Sequence, residues 1–264
     1  MTLGERMKEY EMQSRTRLLR RIPVIIRLDG CHFHTWTRGL DKPYDTNLIK
    51  IMQKTTKSLC EQIQGCVFGY TQSDEITLVL IDYQRLNSMA WYDNQVQKIC
   101  SVAASIATSA FEKALTEEIE ALIREAQWSN ENFMVDTADK ILNKAELLTS
   151  KRFKANFDAR AFNLPMHEVI NNLIWRQQDA TRNSINLLGQ SLYSHKELQG
   201  ISANDLQNKM LIEKNVNWNN EPIAFKRGSA CIKDSEGKWF IDELIPIFKD
   251  NRDYINDLVF IESM

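Results

Sequence analysis

The chain of 264 residues is poor in the two residues that punctuate structure, with 9 Gly and 5 Pro. Few glycines and prolines mean few tight turns and favour long helices. Cysteine is scarce as well. Cys31, Cys60, Cys66, Cys100 and Cys231 form no C-x-x-C pair and match no zinc framework, and an odd count does not close into a disulfide scaffold. They read as reduced thiols, which implies a cytoplasmic setting. No run approaches 18 apolar residues, so nothing in the sequence is read as spanning a membrane. The first 21 residues are charged and lack the apolar stretch of a signal peptide. An excess of one charge is missing too: 33 Lys+Arg stand against 35 Asp+Glu, a formal charge of −2. That excludes a histone-like polyanion binder, whose field comes from net positive charge. If nucleic acid is the substrate, local basic clusters must meet it.

What is present is an ordinary globular balance, 43% apolar and 26% charged. Residues 3–21 read as a helix carrying Arg15, Arg17, Arg20 and Arg21, ended by Pro23. Val24 to Asp29 reads as a buried strand that turns polar at its end, with Gly30 after it. Pro43, Asp45 and Thr46 open a helix. Residues 66–70 and 76–81 form a hairpin around Thr71–Glu75. A second helix is expected from about Trp91 to Ala114, with small residues that let it lie close on a sheet. Residues 115–150 read as a helical insertion of two amphipathic segments joined near Ser129–Asn132. A strand over Phe153–Leu164, a long helix over about Met166–Leu192 and a helix capped by Ser202 and Asp205 follow. Beyond Trp218 the pattern is loops and short strands.

The order is β-α-β-β-α, a helical insertion, then β: an α+β, ferredoxin-like (βαββαβ) arrangement with a mostly helical C-terminal part. Residues 1–150 would form a catalytic domain with its insertion at about 115–150, and residues 151–264 a closely packed remainder contributing the last strand. In this order the first and third strands are antiparallel neighbours. Asp29, at the end of the first, would therefore meet Asp74, at the start of the third. Two converging carboxylates repel unless a cation lies between them. Oxygen ligands suit Mg²⁺ shared with substrate phosphates, and two such ions serve in-line displacement at phosphorus. The alternative for each Asp alone is a local turn hydrogen bond.

Other candidates cluster nearby. The loop Gly30-Cys31-His32-Phe33-His34 follows a strand directly, where backbone N–H groups cradle phosphate. His32 and His34 lack a third nitrogen or sulfur ligand near in sequence, which argues against zinc. Lys42 stands at a helix start, as a phosphate grip or a solvated lysine. Arg176, Asp179 and Asn183 share one helix face, either exposed with an ion pair or lining a cleft. Lys151, Arg152, Lys154, Lys226 and Arg227 add local positive charge for RNA phosphates.

The run Arg27-Leu28-Asp29-Gly30, then Phe33-His34, Lys42-Pro43, Asp45 and Gln72-Ser73-Asp74-Glu75, resembles the tRNA(His) guanylyltransferase superfamily. So do Phe157-Asp158-Ala159-Arg160, Trp175-Arg176-Gln177 with Asp179, Asn217-Trp218-Asn219 and Lys226-Arg227-Gly228. The resemblance spans about residues 15–230. It implies a polymerase-like palm that activates a tRNA 5′-phosphate with ATP and adds NTPs, often GTP, in the 3′–5′ direction. It also implies that Asp29, Asp74 and the Gly30 carbonyl bind two Mg²⁺ ions. Asp29 to His34, with Cys31, His32 and Phe33, would hold the nucleotide together with Lys42, Ser73 and Asp74, with Glu75 adjacent. Arg27, Lys98, Arg176 and Asn183 would be phosphate or RNA contacts. A homo-oligomer, a tetramer, is implied by the same resemblance.

Residues 180–185, Ala-Thr-Arg-Asn-Ser-Ile, replace a His-Ile-Asn-Asn-Leu-Tyr run of eukaryotic members and are similar to the bacterial and archaeal-type branch. That branch implies templated repair of 5′-truncated tRNA rather than addition of a 5′ G to tRNA(His). Cys31-His32 departs from the family's basic-then-small pair. Two rival readings are a nucleotide cyclase on the same palm, which would not need the C-terminal half, and an RNA-binding protein without catalysis.

Overall fold

A computed structural model describes residues 1–260. In chain order the elements are α1 (Leu3–Met12), β1 (Val24–Gly30), α2 (Phe33–Trp36), α3 (Thr46–Gln62), β2 (Cys66–Gln72), β3 (Glu75–Leu80), α4 (Val96–Glu131) and α5 (Val135–Thr149). There follow β4 (Phe157–Asn163), α6 (Met166–Leu192), α7 (His195–Leu198), α8 (Ala203–Lys214), α9 (Ile223–Arg227), β5 (Ser229–Lys233), β6 (Trp239–Asp242) and α10 (Asp253–Val259). The six strands form one sheet in the order β4-β1-β3-β2-β5-β6, every neighbouring pair antiparallel. Strands from both sides of residue 150 thus share one sheet.

Strand alternation sends side chains to two cores. Ile26, Leu28, Ile76 and Leu78 pack with α3, α4 and α5, while Ile25, Phe68 and Val79 pack with α6, α10 and the segment around Phe248. The central strands are therefore covered on both faces, which is why β3 is buried at every position. Each fully buried aliphatic side chain contributes about 1.5–3 kcal/mol. In α4, Ala103, Ala107 and Ala114 face the first core, as small residues must where a helix axis lies close to a sheet.

Several boundaries differ from the expectation. The first helix ends at Met12, not at Pro23. Tertiary hydrogen bonds claim the backbone beyond it: Arg17 bridges to Gln95, and the Asn163 side chain binds Leu19, Ile22 and Pro23. The second helix starts at Val96 because Tyr92, Asp93 and Asn94 take left-handed backbone, with φ of 48°, 53° and 55°. It then runs unbroken through residue 115 to Glu131, so residues 115–150 are the second half of that helix and α5, which returns alongside it. β4 begins at Phe157 rather than Phe153, whose φ is 59°. The helix over 166–192 and the Ser202 cap fall where the sequence placed them. No helix among the described residues is long and apolar enough to cross a membrane.

Candidate active site

The site is built at the sheet edge where β1 ends and β3 begins. Asp29 pairs in register with Glu75 on β3 and with Asp158 on β4. β2 and β3 are joined by a two-residue turn, Ser73-Asp74, flanked by the Gln72–Glu75 pair. Ser73 has φ of 51°, a conformation such turns usually reserve for glycine, and its hydroxyl donates to Asp74 Oδ1 at 3.0 Å. The Gly30 N–H donates to the Asp74 carbonyl at 3.2 Å, tying the two ends together.

The electrostatics follow from that placement. Burial pushes the Asp74 carboxyl up, the neighbouring Asp29 charge adds to this, and the Ser73 hydrogen bond opposes it. Burial also pushes Glu75 up, against the pull of Arg176 and Arg27. Arg176 donates to Glu75 at 2.9 Å and to Asp179 at 3.1 Å, and Arg27 lies 3.6 Å from Glu75. Among the described residues these cations serve Glu75 and Asp179, and no ion pair neutralises Asp29 or Asp74.

Beside the turn lies a hollow of about 230 Å³ between α3, the β2–β3 turn, α6 and α9. Lys42, Ser73 and Asn183 line it with Leu40, Tyr44, Ile49 and Phe225, and the Tyr44 and Phe225 rings stack at 4.4 Å. Asp29, Gly30, Ser73 and Asp74 thus converge, with Lys42 and Asn183 on the adjoining wall. His32, with φ of 56°, is exposed on the loop just before α2, and His34 is exposed on α2. Cys31 is half-buried; burial and then the charges of Asp158 and Asp29 push its thiol up.

Burial or position limits what five of the sequence-read side chains can reach. The Phe33 side chain is buried among Trp36, Phe111 and Phe157, so only its backbone can face a ligand. Arg176 is buried in its ion pairs, and Arg27 is drawn to Glu75. Lys98 is exposed at the start of α4, with Arg15 and Arg17 along a separate hollow at the opposite sheet edge, where β2 begins and β3 ends. Lys226 is buried too, its ammonium donating to the Asn219 carbonyl and lying 5.4 Å from the Trp218 ring. Tyr44 and Phe225 were missed. The only local signal for Tyr44 is its place between Pro43 and Asp45, and Phe225 carries none.

Among the described residues no group of three or more His, Cys, Asp and Glu is placed to hold a metal ion. The donors at the edge are two carboxylates without a cationic partner and a backbone carbonyl. Such hard oxygens fit Mg²⁺ with substrate phosphates completing its shell.

Comparison with known proteins supplies the class: this is an enzyme, a nucleotidyltransferase. The chain belongs to the tRNAHis guanylyltransferase family, whose model matches residues 4–165. A solved bacterial tRNA(His) guanylyltransferase-like protein in complex with ATP is 38% identical, with a TM-score of 0.84 over 98% of this chain and 100% of that one. Another such structure, in complex with GTP, is 34% identical with a TM-score of 0.75 over the same shares. The tRNA(His) guanylyltransferase 2 of Arabidopsis thaliana is 26% identical over 87% of this chain, which spans 39% of that longer protein.

Proposed function

We propose that this chain is a Mg²⁺-dependent 3′–5′ nucleotidyltransferase that activates a tRNA 5′-phosphate with ATP and adds NTPs to that end, in templated repair of 5′-truncated tRNA. The β4-β1-β3-β2 portion of the sheet, with α3 and α4 on one face, serves as its ferredoxin-like palm. The observation that carries the reading is the junction of Asp29 and Asp74, held together by the Gly30–Asp74 hydrogen bond and left without a cationic partner. Like charges kept together at a strand edge are costly unless they bind something positive.

Asp29, Asp74 and the Gly30 carbonyl would hold the metal. When bound, Mg²⁺ offsets charge on the transferring phosphoryl group and helps a 3′-hydroxyl lose its proton. The chain's own groups do the rest. Lys42 meets the triphosphate, the N–H groups of residues 32–34 orient it, and the Tyr44–Phe225 wall receives the base. Glu75, locked by Arg176, fixes the start of β3 beside the turn that carries Asp74. The bacterial ATP and GTP complexes, closer to this chain than the 22% identical Saccharomyces cerevisiae structure, support both the nucleotides and the repair branch.

The test supplies a 5′-monophosphorylated tRNA lacking its first nucleotide, with ATP, Mg²⁺ and each labelled NTP. Extension of this RNA is expected, abolished by Asp29→Ala or Asp74→Ala in folded protein. A chain that extends no 5′ end with any NTP would refute the assignment. Addition of a single G to tRNA(His) alone would move it to the guanylation branch, and release of a cyclic nucleotide without RNA would favour a cyclase.

A further inference from the structure

Helix α5 stands outside the catalytic edge, yet it reaches the wall of the nucleotide hollow. Lys144, in its third turn, donates to Asp41 at 2.7 Å and to Asp45. The Asp45 side chain is 2% exposed and that of Lys144 14%. Just beyond the helix, the Lys151 ammonium donates to the carbonyls of Trp36 and Arg38, and the Trp36 indole N–H returns a bond to the Lys151 carbonyl at 3.2 Å. Residues 36–45 are thus fastened to α5 at both ends. This is the segment that carries Lys42.

Asp45 has local work of its own. One carboxylate oxygen caps α3 at the Leu48 N–H, and the other accepts from the Asp41 N–H. With Asp41 beside it, the wall holds two carboxylates within three residues of Lys42. Unneutralised, they would repel a triphosphate and compete with it for that lysine. Burial pulls the Lys144 ammonium down, but its hydrogen bonds to Asp41 and Asp45 and their charges more than offset this, so it stays charged.

We propose that Lys144 is a positioning residue for nucleoside triphosphate binding, acting through Asp41 and Asp45 to hold the 36–45 wall and cancel its negative charge, so that Lys42 is left for the triphosphate. The inference rests on reading the hollow as the nucleotide site, and it gives the second helix of residues 115–150 a task in the reaction.

The full-length chain is assayed for equilibrium binding of ATP and GTP with Mg²⁺, and steady-state addition of NTP to the truncated tRNA supplies KM and kcat. Lys144→Met should raise Kd and KM for NTP on the order of ten-fold and leave kcat within about two-fold, with Lys144→Arg recovering most of the loss. Lys140→Met, which removes the same charge from an exposed position on α5, should change neither. The KM-against-kcat split separates this role from a fold defect. Should Lys144→Met not fold, Lys144→Met/Asp45→Asn leaves no buried carboxylate unpaired; it should still bind several-fold more weakly because Asp41 stays uncancelled. Wild-type Kd and KM in either folded variant would overturn the proposal. Absence of NTP binding to the wild-type chain would instead refute the reading of the hollow.

Discussion

Gly30 has no room for a side chain. A Cβ there would lie 2.2 Å from the Phe33 ring, which is itself wedged among Trp36, Phe111 and Phe157. Gly30→Ala should therefore cost about 1–3 kcal/mol, the range for overpacking a filled core, measured by urea unfolding. Unchanged stability would show that the ring moves freely. Arg176 makes the complementary case, a charge held inside. Arg176→Met leaves Glu75 buried with only Arg27 at 3.6 Å, and breaking a buried pair on one side costs about 3–5 kcal/mol. A loss below about 1 kcal/mol on unfolding would place Glu75 in contact with water. These two positions also mark how far residue identity can be read. Asp29 and Asp74 were legible because a strand that turns polar at its end and a turn between β-rich runs are local patterns. Phe33, Arg176 and Lys226 follow their neighbours in the same motifs, yet their side chains turn inward, and burial is decided by elements far away in sequence.

At the scale of elements the same distinction separates success from failure. The bounds of α6 and the start of α3 were readable because apolar periodicity and the Asp45 cap are local to the element. The end of α1 was not, because residues 13–22 leave helical geometry to bind Gln95, Asn94 and Asn163. The left-handed stretch at residues 92–94 has a similar origin. Asn94 is held by its side chain to the Leu19 carbonyl, and Asp93 by Arg17 and Arg20, contacts no periodicity announces. The small-residue face of α4 was legible, and it carries a prediction. Ala107 is fully buried in the core shared with β1, β3 and α3. Ala107→Leu forces the helix off the sheet and should destabilise by about 1–3 kcal/mol, while the same change at the exposed Ser105 should stay within about 0.5 kcal/mol. Equal stabilities would mean that α4 does not pack as closely as its small residues allow.

The formal charge of −2 belongs to the whole molecule, and it hides an uneven distribution. Asp29, Asp74 and Asp158 meet at the end of β1, and other basic clusters lie away from it. The basic clusters seen in the sequence do not all reach solvent, however. Lys151 and Lys226 are buried and satisfied by backbone carbonyls, and Arg17 and Arg20, though exposed, pair with Asp93. Arg15, Lys98 and Lys154 are exposed, and Arg15 and Lys98 share the hollow at the sheet edge opposite Asp29. An RNA bound at the Asp29–Asp74 edge and extending along the molecule would meet this second surface with its phosphates. Each phosphate neutralised contributes roughly 0.7–0.9 to the slope of log K against log salt. If both side chains meet phosphate, Arg15→Gln/Lys98→Gln should lower tRNA affinity and flatten that slope by roughly 1.5, while KM for NTP stays unchanged. Lys226→Met should instead cost stability, because its ammonium holds the Asn219 carbonyl, and leave the slope as it was. A slope untouched by the double substitution would place the RNA on another face, away from the hollow that Arg15 and Lys98 share.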